Sequence, residues 1–482
     1  MLLLIFILPL LASLAVAFSG KALSKWVAFG SSLVTLAVTL LLYSNFHADA
    51  AFVKEWKHSW VASQNLNFYV VVDGFSIWLL LLTNFLMPLI LLATFKKEIK
   101  KANAFYALVL FMQFGLNGVF LSWNGLQYYI FWELALLPIY FIVWLWSEEA
   151  DKAVRTRTAF KFFIYTLAGS LFMLFGFMYL FSKSPSLDLQ DLYQISLNSN
   201  EQIILFACFF IAFAVKIPVF PFHTWQADTY RVAPTAGTML LSGIMLKMGT
   251  YSLIRWLVPI FPDGAAFWTP YILVLCAIGI VYGAIIAIRQ DNLKNLLAYS
   301  SLSHVGLIAA GAFVLTREGF NGSLAQMLAH GINVVGVFFI AEIILNRTGQ
   351  LSIDTLGGIR SVAPRFFTLS LIVVLASVAL PTTNAFIGEF LLLFSLYQYN
   401  TWLAVVAGTS VILGAVYMLR MVKKVFLGNV SNRTQSFADL NWSETVVFVA
   451  LIAVIFVLGL YPKLIFDTAQ PVFETILQTA SR

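Results

Sequence analysis

Ile203-Ile-Leu-Phe-Ala-Cys-Phe-Phe-Ile-Ala-Phe-Ala-Val215-Lys216-Ile-Pro218-Val-Phe-Pro221 is the stretch that decides the fold, because it sets an ammonium group at the end of thirteen apolar residues. A charge at the centre of a bilayer costs about 2.5–3.5 kcal/mol even on lenient insertion scales. Pro218 and Pro221 carry no backbone N–H, so they break or kink the helix beside that charge. Bare backbone at such depth is tolerated only inside protein or against water. A charge and a helix break together point to a hydrated ion path through a membrane bundle. Glu133, Lys247 and Glu389 sit in apolar runs of the same kind.

Composition agrees with this. Of the 482 residues 61% are hydrophobic and 11% charged, with a mean hydropathy of +0.88; soluble domains carry about 25% charged residues. The near-continuous succession of apolar segments argues for one membrane-embedded unit, 1–482. Cys208 and Cys276 both lie in apolar segments, as packing residues rather than a disulfide or metal pair. With no CxxC, glycine-rich phosphate loop or His/Cys cluster, the sequence predicts no redox centre or metal site in this chain. Met1–Phe18 has the length of a signal peptide, and Ala15-Val-Ala17 resembles a cleavage site. Met1 is followed directly by leucines instead of a basic region, so the segment reads as an uncleaved first helix.

Stretches long enough to span, roughly 17–25 residues, fall at 2–18, 25–43, 74–95, 104–122, 126–147, 159–182, 202–221, 235–257, 267–288, 295–315, 321–345, 367–395, 402–427 and 445–466. The expectation is an all-α polytopic protein of fourteen helices, with helices 4 and 5 an antiparallel pair across Trp123-Asn-Gly125. The charged segment 44–73 is expected to cover a membrane face. Of the 29 lysines and arginines, twenty fall in links after odd-numbered helices and seven in links after even-numbered helices or at the termini, Arg255 and Arg482 among the seven. Lys216 and Lys247 lie within spans. The asymmetry fits the positive-inside rule and places both termini on the outer side. The net charge of +7 therefore concerns topology and anionic lipid, not nucleic acid.

The buried charges are then weighed one by one. Glu133 lies about one and a half turns into helix 5; it either reaches interfacial water or Tyr129, or serves as a buried carboxylate with Lys216 as its cation. Lys247 is mid-helix, about twelve residues from either end of its span, too deep for its stem to snorkel out easily. Gly243, Gly249 and Ser242 would let a neighbouring helix or water approach it. His304 and His330 lie in apolar helices, where a histidine is a satisfied hydrogen-bonder or a proton relay, and the membrane setting favours the relay. His223 is a weaker relay candidate, and Ser300, Ser301 and Ser303 could hold water near His304. Glu389 follows Leu380-Pro381-Thr-Thr-Asn-Ala-Phe-Ile-Gly388, a second interrupted helix with Thr382, Thr383 and Asn384 available for freed carbonyls. Two interrupted helices five apart suggest inverted repeats, 104–257 (helices 4–8) and 267–427 (helices 9–13), with helices 7 and 12 broken. Glu342 reads as an interfacial partner of Arg347, and the other Asp and Glu residues as solvated link charges.

Val215-Lys-Ile-Pro-Val-Phe-Pro-Phe-His-Thr-Trp-Gln-Ala-Asp228 with Ala233-Pro-Thr-Ala-Gly-Thr-Met-Leu-Leu-Ser-Gly-Ile-Met-Leu-Lys-Met-Gly-Thr-Tyr251 strongly resembles the antiporter-like subunits of respiratory complex I. So do Asn295-Leu-Leu-Ala-Tyr-Ser-Ser-Leu-Ser-His304-Val-Gly and Met327-Leu-Ala-His330-Gly. The resemblance runs through essentially the whole chain. It implies fourteen helices in two inverted five-helix repeats and a central polar row: Glu133 and Lys216 as a glutamate–lysine pair, Lys247 as the central lysine, His304 and His330 as connecting histidines. Glu389, where L- and N-type relatives generally have lysine, favours the M-type branch, as does a chain that stops soon after helix 14. Gln226-Ala-Asp-Thr-Tyr-Arg-Val departs from the family's Pro-Asp-Ala-His-like sequence.

The resemblance further implies a non-redox, proton-translocating subunit in a bacterial inner membrane. FMN, iron–sulfur clusters and quinone would lie in other subunits, with L-type and N-type neighbours and a peripheral redox arm as partners. The rival readings are a subunit of a multi-subunit sodium/proton antiporter, a subunit of a membrane-bound hydrogenase-type complex, and a scaffold. Four buried charges argue against the scaffold, which does not need them.

Overall fold

The computed structural model describes residues 1–46 and 52–480; Arg482 and part of the 44–73 link lie outside them. Two helices, α1 (Leu2–Ala17) and α2 (Lys21–Ser44), lead into an antiparallel hairpin of β1 (Phe52–Val61) and β2 (Leu66–Asp73). Then come α3 (Ser76–Ala93), α4 (Ala102–Leu121), α5 (Gly125–Leu145), α6 (Lys152–Lys183), the single turn α7 (Leu189–Leu192) and α8 (Ser199–Lys216). Helix 7 is broken: α8 stops at Lys216 and the chain resumes as α9 (Gln226–Val232). Helix 8 is α10 (Thr235–Leu240), a π-helical turn Leu241–Met245, α11 (Leu246–Ser252) and a second π turn Leu253–Leu257.

The second half follows as α12 (Pro262–Arg289), α13 (Leu293–Phe313), α14 (Arg317–Thr348) and the short α15 (Ile359–Val362). Helix 12 is broken like helix 7, into α16 (Pro364–Ser377) and α17 (Asn384–Tyr399). The chain ends with α18 (Thr401–Val425), α19 (Trp442–Leu460) and α20 (Lys463–Ala480). Among the described residues eleven helices are long and apolar enough to cross a membrane. The other three of the fourteen expected spans are the shorter α1, helix 8 with its π turns, and broken helix 12. The protein is an all-α multi-pass membrane protein with broken helices at positions 7 and 12, as the sequence predicts.

Links form where polar caps meet the ends of apolar runs. Asn124 accepts from the backbone N–H groups of Leu126 (3.1 Å) and Gln127 (3.4 Å), so α5 starts at once after α4 and doubles back along it. Asn198 with Glu201 and Asn441 with Glu444 form capping boxes at the starts of α8 and α19. Two departures concern the outer elements. The 44–73 segment contains a hairpin whose second strand is largely buried, with Val70, Val71 and Val72 fully inside. Beyond helix 14 lies α20, an amphipathic helix that buries Ile465, Ala469, Val472, Phe473 and Ile476. Its mixed polar and apolar face falls below the hydropathy that marks a span, so the span reading passed over it. Trp78 Nε1 donates to Thr468 Oγ1 at 2.6 Å and ties α20 to α3.

Charges sort by link parity. On the odd-link side, Lys97 bonds Glu148 (3.0 Å) and Glu342 (2.9 Å), Lys294 bonds Glu148, and Arg347 bonds Glu444 (2.6 Å). On the even-link side, Lys57 bonds Asp188 (2.7 Å) and Arg255 bonds Asp73. Two expectations are corrected here. Glu342 pairs with Lys97, not Arg347, because α14 turns Arg347 toward the start of α19. Asp73, Asp188 and Glu148 are not solvated link charges; Asp73 and Arg255 are almost completely buried, at 1% and 2% side-chain exposure. Arg255 sits in the second π turn, flanked by the rings of Phe75, Trp123 and Tyr251 at 5.4–5.7 Å.

Removing one partner of such a pair strands the other charge, at a cost of about 3–5 kcal/mol. Arg255→Met is expected to lower thermal stability in detergent by about that free energy, while Arg255→Lys retains part of it. A melting curve of Arg255→Met matching the wild type would show that the pair carries no stability.

Candidate functional site

Four of the six sequence-predicted residues join in one file that starts on helix 8 and runs into the second half of the bundle. Lys247 Nζ donates to the Ser242 carbonyl at 2.6 Å and lies 2.8 Å from His330 Nδ1. The other ring nitrogen of His330, Nε2, is 3.0 Å from Ser301 Oγ. The His304 ring stands 6.1 Å, centre to centre, from that of His330. His304 Nδ1 is 3.1 Å from Glu389 Oε1, which also accepts from Gln326 Nε2 at 3.2 Å. The file crosses from helix 8 through α14 and α13 to α17.

Glycines set this spacing. A Cβ on Gly331 would lie 2.8 Å from the Gly243 carbonyl oxygen, and one on Gly243 would lie 2.6 Å from Val335 Cγ2. Helix 8 and α14 thus cross backbone to backbone beside Lys247 and His330, as small residues at a membrane interface permit. Gly388 does the same for α17 against Gln326 of α14, next to Glu389. Gly249 brings α11 against Ile217, the residue after Lys216.

Glu133 and Lys216 form the other end of the row. Lys216 Nζ is buried with no hydrogen-bond partner and lies 5.1 Å from the centre of the Trp132 ring, a cation–π contact. Glu133 Oε1 is buried and unpartnered as well, with Ser170 of α6 at its carboxylate. The two residues interact electrostatically but form no ion pair, so the structure holds them apart. His223 lies in the break between α8 and α9, stacked on Phe220 and edged against Tyr282, away from the file.

A cavity of about 20 Å³ for water centres lies between the histidines, lined by Ser300, Ser301, His304, His330, Asn333 and Ser377. That is room for about one ordered water with polar partners on several sides. Ser300 and Ser301 face it as expected, whereas Ser303 turns away to the Ile280 carbonyl. Sequence reasoning passed over Gln326 and Asn333, which flank His330 at i−4 and i+3 in the otherwise apolar middle of α14; that polar stripe was the available signal. Asn333 Nδ2 donates to the Ala376 carbonyl and to Asn384 Oδ1, both at 3.1 Å, and Thr383 Oγ1 donates to the Leu380 carbonyl at 2.6 Å. Two carbonyls at the break in helix 12, those of Ala376 and Leu380, thus each accept from a side chain.

A second charged group stands where the sequence reading expected only a solvated link carboxylate. Glu148, between α5 and α6, accepts from Lys97 and Lys294 and from the backbone N–H of Thr235 at 3.3 Å, at the start of α10. Lys294 also donates to the Ala233 carbonyl at 2.9 Å. Burial pushes the Glu148 carboxyl up, but Lys294 and Lys97 outweigh it and hold the group below the usual carboxylate range. Burial likewise opposes the charge on Lys97, and Glu342 and Glu148 outweigh it and hold the ammonium above its ordinary value.

The cluster predicts a definite pH response. A depressed carboxyl stabilises the fold above its unfolded value and loses that contribution as pH falls through the depressed one. Glu148→Gln is therefore expected to lower stability at neutral pH, with the gap to the wild type holding down to about pH 4 and narrowing only as more acid is added below it. A gap that stays constant with pH would remove Glu148 as a titrating support. For the file itself, Gly331→Val is expected to cost about 1–3 kcal/mol by overpacking and to lengthen the Lys247–His330 contact beyond hydrogen-bond range in a structure of the variant.

Comparison with known proteins shows what the chain as a whole is similar to. The family described as NADH:quinone oxidoreductase/Mrp antiporter, transmembrane, matches residues 122–416. Over 98% of its length the chain is 35% identical to NADH-ubiquinone oxidoreductase chain 4 of Marchantia polymorpha, covering 96% of that protein. It is 34% identical to NADH-quinone oxidoreductase subunit M of Rhodobacter capsulatus, over 94% of this chain and 90% of that one. Among solved structures, a chain of respiratory complex I from Thermus thermophilus with bound NADH superposes with a TM-score of 0.91 at 29% identity, covering all of both chains. A chain of the Mrp complex from Dietzia sp. DQ12-45-1b has a TM-score of 0.85 at 20% identity over 99% of this chain and 98% of that one, a likeness of fold alone.

Proposed function

The chain belongs to the NADH:quinone oxidoreductase/Mrp antiporter transmembrane family, and from that premise we propose that it is the M-type, proton-translocating subunit of the membrane arm of an NADH–quinone oxidoreductase. The observation that carries the reading is the unbroken file Lys247–His330–Ser301, with His304 and Glu389 beyond it. Glu389 rather than lysine at the end of the file, and relatives named chain 4 and subunit M, support the M type over a sodium/proton antiporter subunit.

In this reading the chain does no redox chemistry. FMN, iron–sulfur clusters and quinone belong to other subunits, and L-type and N-type antiporter-like subunits are its neighbours. The chain is a multi-pass protein of the bacterial inner membrane, with the odd-numbered links on the cytoplasmic side and both termini outside. The repeats are 104–257 and 267–427. Electron transfer elsewhere changes the electrostatics of the row.

The residues take these roles. When Lys216 closes on Glu133, its charge is neutralised and Lys247 holds a proton. When they separate, the bare ammonium of Lys216 repels the charge on Lys247. Lys247 then gives its proton to His330 Nδ1, His330 releases one from Nε2 toward Ser301 and the cavity, and His304 passes one to Glu389. Each transfer through His330 leaves the ring as its other tautomer. The proton must return between the two nitrogens, or the ring turn over, before the next one is accepted at Nδ1; lysine and carboxylate regain their starting form when the next proton arrives.

Two measurements test this. Gentle purification by a tag on this chain is expected to yield NADH-reducible flavin and iron–sulfur signals with quinone reductase turnover; membrane subunits alone, without redox centres, would put the antiporter reading first. In the assembled complex, Lys247→Met and Glu389→Gln are each expected to cut proton pumping in vesicles severalfold. Unchanged pumping with an intact complex would leave only a scaffold role.

A further inference from the structure

At the odd-link end of the bundle a cavity of about 330 Å³ lies between the α3–α4 link, the ends of α5 and α14, and the starts of α6 and α10. It has several times the room that one water needs. Its charged lining is Lys97, Glu98 and Lys100 from the link, Arg155 of α6 and Glu342 of α14. Two polar atoms of that lining are buried and open. Arg155 Nε has no hydrogen-bond partner, and neither has Glu342 Oε2, although Glu342 Oε1 accepts from Lys97 at 2.9 Å and from Asn346 at 3.3 Å. A buried donor and a buried acceptor left open are costly for the chain alone. A ligand carrying both an acceptor and a donor would satisfy the two together.

Charge points the same way. Lys97 is taken up by Glu148 and Glu342, which leaves Lys100 and Arg155 against Glu98 and the open side of Glu342. A simple anion would meet two carboxylates and a simple cation two basic groups, whereas a zwitterion pairs with both signs. The walls show where such a ligand comes from. Trp146 Nε1 donates to the Lys100 carbonyl at 2.6 Å, and the Phe105 ring stands 5.4 Å from that of Trp146. Aromatic rings of this kind mark the membrane–water interface. Leu145 also lines the cavity and begins a stripe of exposed apolar side chains on α5, with Phe141 and Leu137 at steps of four below it. The stripe descends about 12 Å, most of the roughly 15 Å half-thickness of the hydrocarbon core. A polar cavity above and an apolar track below are the two halves of a phospholipid site.

We propose that this cavity binds the headgroup of a phospholipid bearing a primary amine, of the phosphatidylethanolamine class, from the leaflet on the odd-link side. Lys100 is exposed and Glu342 is buried, so the cavity runs from a basic mouth to an acidic floor. The phosphodiester accepts from Arg155 and Lys100 at the mouth. The ammonium donates to Glu342 Oε2 at the floor, and one acyl chain lies along Leu145, Phe141 and Leu137. A choline headgroup has no N–H to give Glu342, and a glycerol headgroup brings it no positive charge. The site takes no part in the proton row and stands whether or not the row conducts.

The test uses the whole complex, tag-purified and washed in detergent. It is incubated with dioleoyl lipids that differ only in methyl groups on nitrogen, from phosphatidylethanolamine to phosphatidylcholine, and with phosphatidylglycerol. Mass spectrometry of the intact complex counts retained lipid. Other surfaces bind lipid too, so the quantity read is the difference between the wild type and Arg155→Gln. That difference is expected to be about one phosphatidylethanolamine per complex. It should fall about fivefold or more by the fully methylated lipid, and as far for phosphatidylglycerol. Glu342→Gln is expected to level the methylation series; if that variant does not assemble, the series on the wild type carries the same readout. An equal difference for the ethanolamine and choline lipids, or for phosphatidylglycerol, would overturn recognition of the amine. No difference for any lipid would overturn the site. Displacement of the lipid by millimolar phosphoethanolamine, which has no chains, would show that the α5 track adds nothing and that the ligand is not a lipid.

Discussion

An ammonium group in the middle of a membrane bundle must find oxygen or nitrogen to donate to, and the contacts of Lys247 organise much of what surrounds it. Its proton donors meet the Ser242 carbonyl and His330 Nδ1. The first contact lies in a helix locally widened to a π turn, which brings a main-chain carbonyl within reach of the side chain below it. The second needs helix 8 and α14 to touch at Gly243 and Gly331, where any side chain would force them apart. π turns recur at functional positions because they trade a regular bond for a reachable polar group. Here the trade brings a lysine, a histidine and a hydroxyl into one bonded line.

The broken helices meet the same constraint in two ways. At the break in helix 12 the carbonyls of Ala376 and Leu380 accept from Asn333 and Thr383, so side chains take up part of the polar backbone there. In helix 7 the break leaves Lys216 at the end of α8 with no hydrogen-bond partner, resting on the Trp132 ring near an unpaired Glu133 oxygen. One break is lined by side chains bonded to backbone carbonyls, and the other keeps a buried ammonium without a hydrogen-bond partner. An unpaired buried charge is costly, so a modest movement that paired it would release substantial free energy.

Much of this was legible in the chain itself. Fourteen spans, the two breaks and the six ionisable residues could be read because each rests on a local rule: hydropathy over one helix length, proline's missing N–H, or the rarity of charge in lipid. The amphipathic α20 was missed because it lies half in polar surroundings, and the hairpin because only one of its strands faces the core. Glu342 was given the wrong partner, since Arg347 is nearer in sequence but α14 carries it toward Glu444, while Lys97 comes from 245 residues away. Glu148 and Asp73 looked like ordinary link charges for the same reason: nothing near them in sequence shows that the links fold over them.

What the sequence determined by itself was therefore the kind of residue and its depth: which segments cross the membrane, and which charges are forced to stay inside. These follow from transfer free energies that act on each segment alone. Only the tertiary structure decided who meets whom: that His330 takes Lys247 at one nitrogen and Ser301 at the other, that His304 reaches Glu389, and that Glu133 and Lys216 stand apart. Contacts of this kind depend on helices crossing within a few ångströms at particular glycines and on links closing over one another. Neither is written in any stretch shorter than the whole bundle.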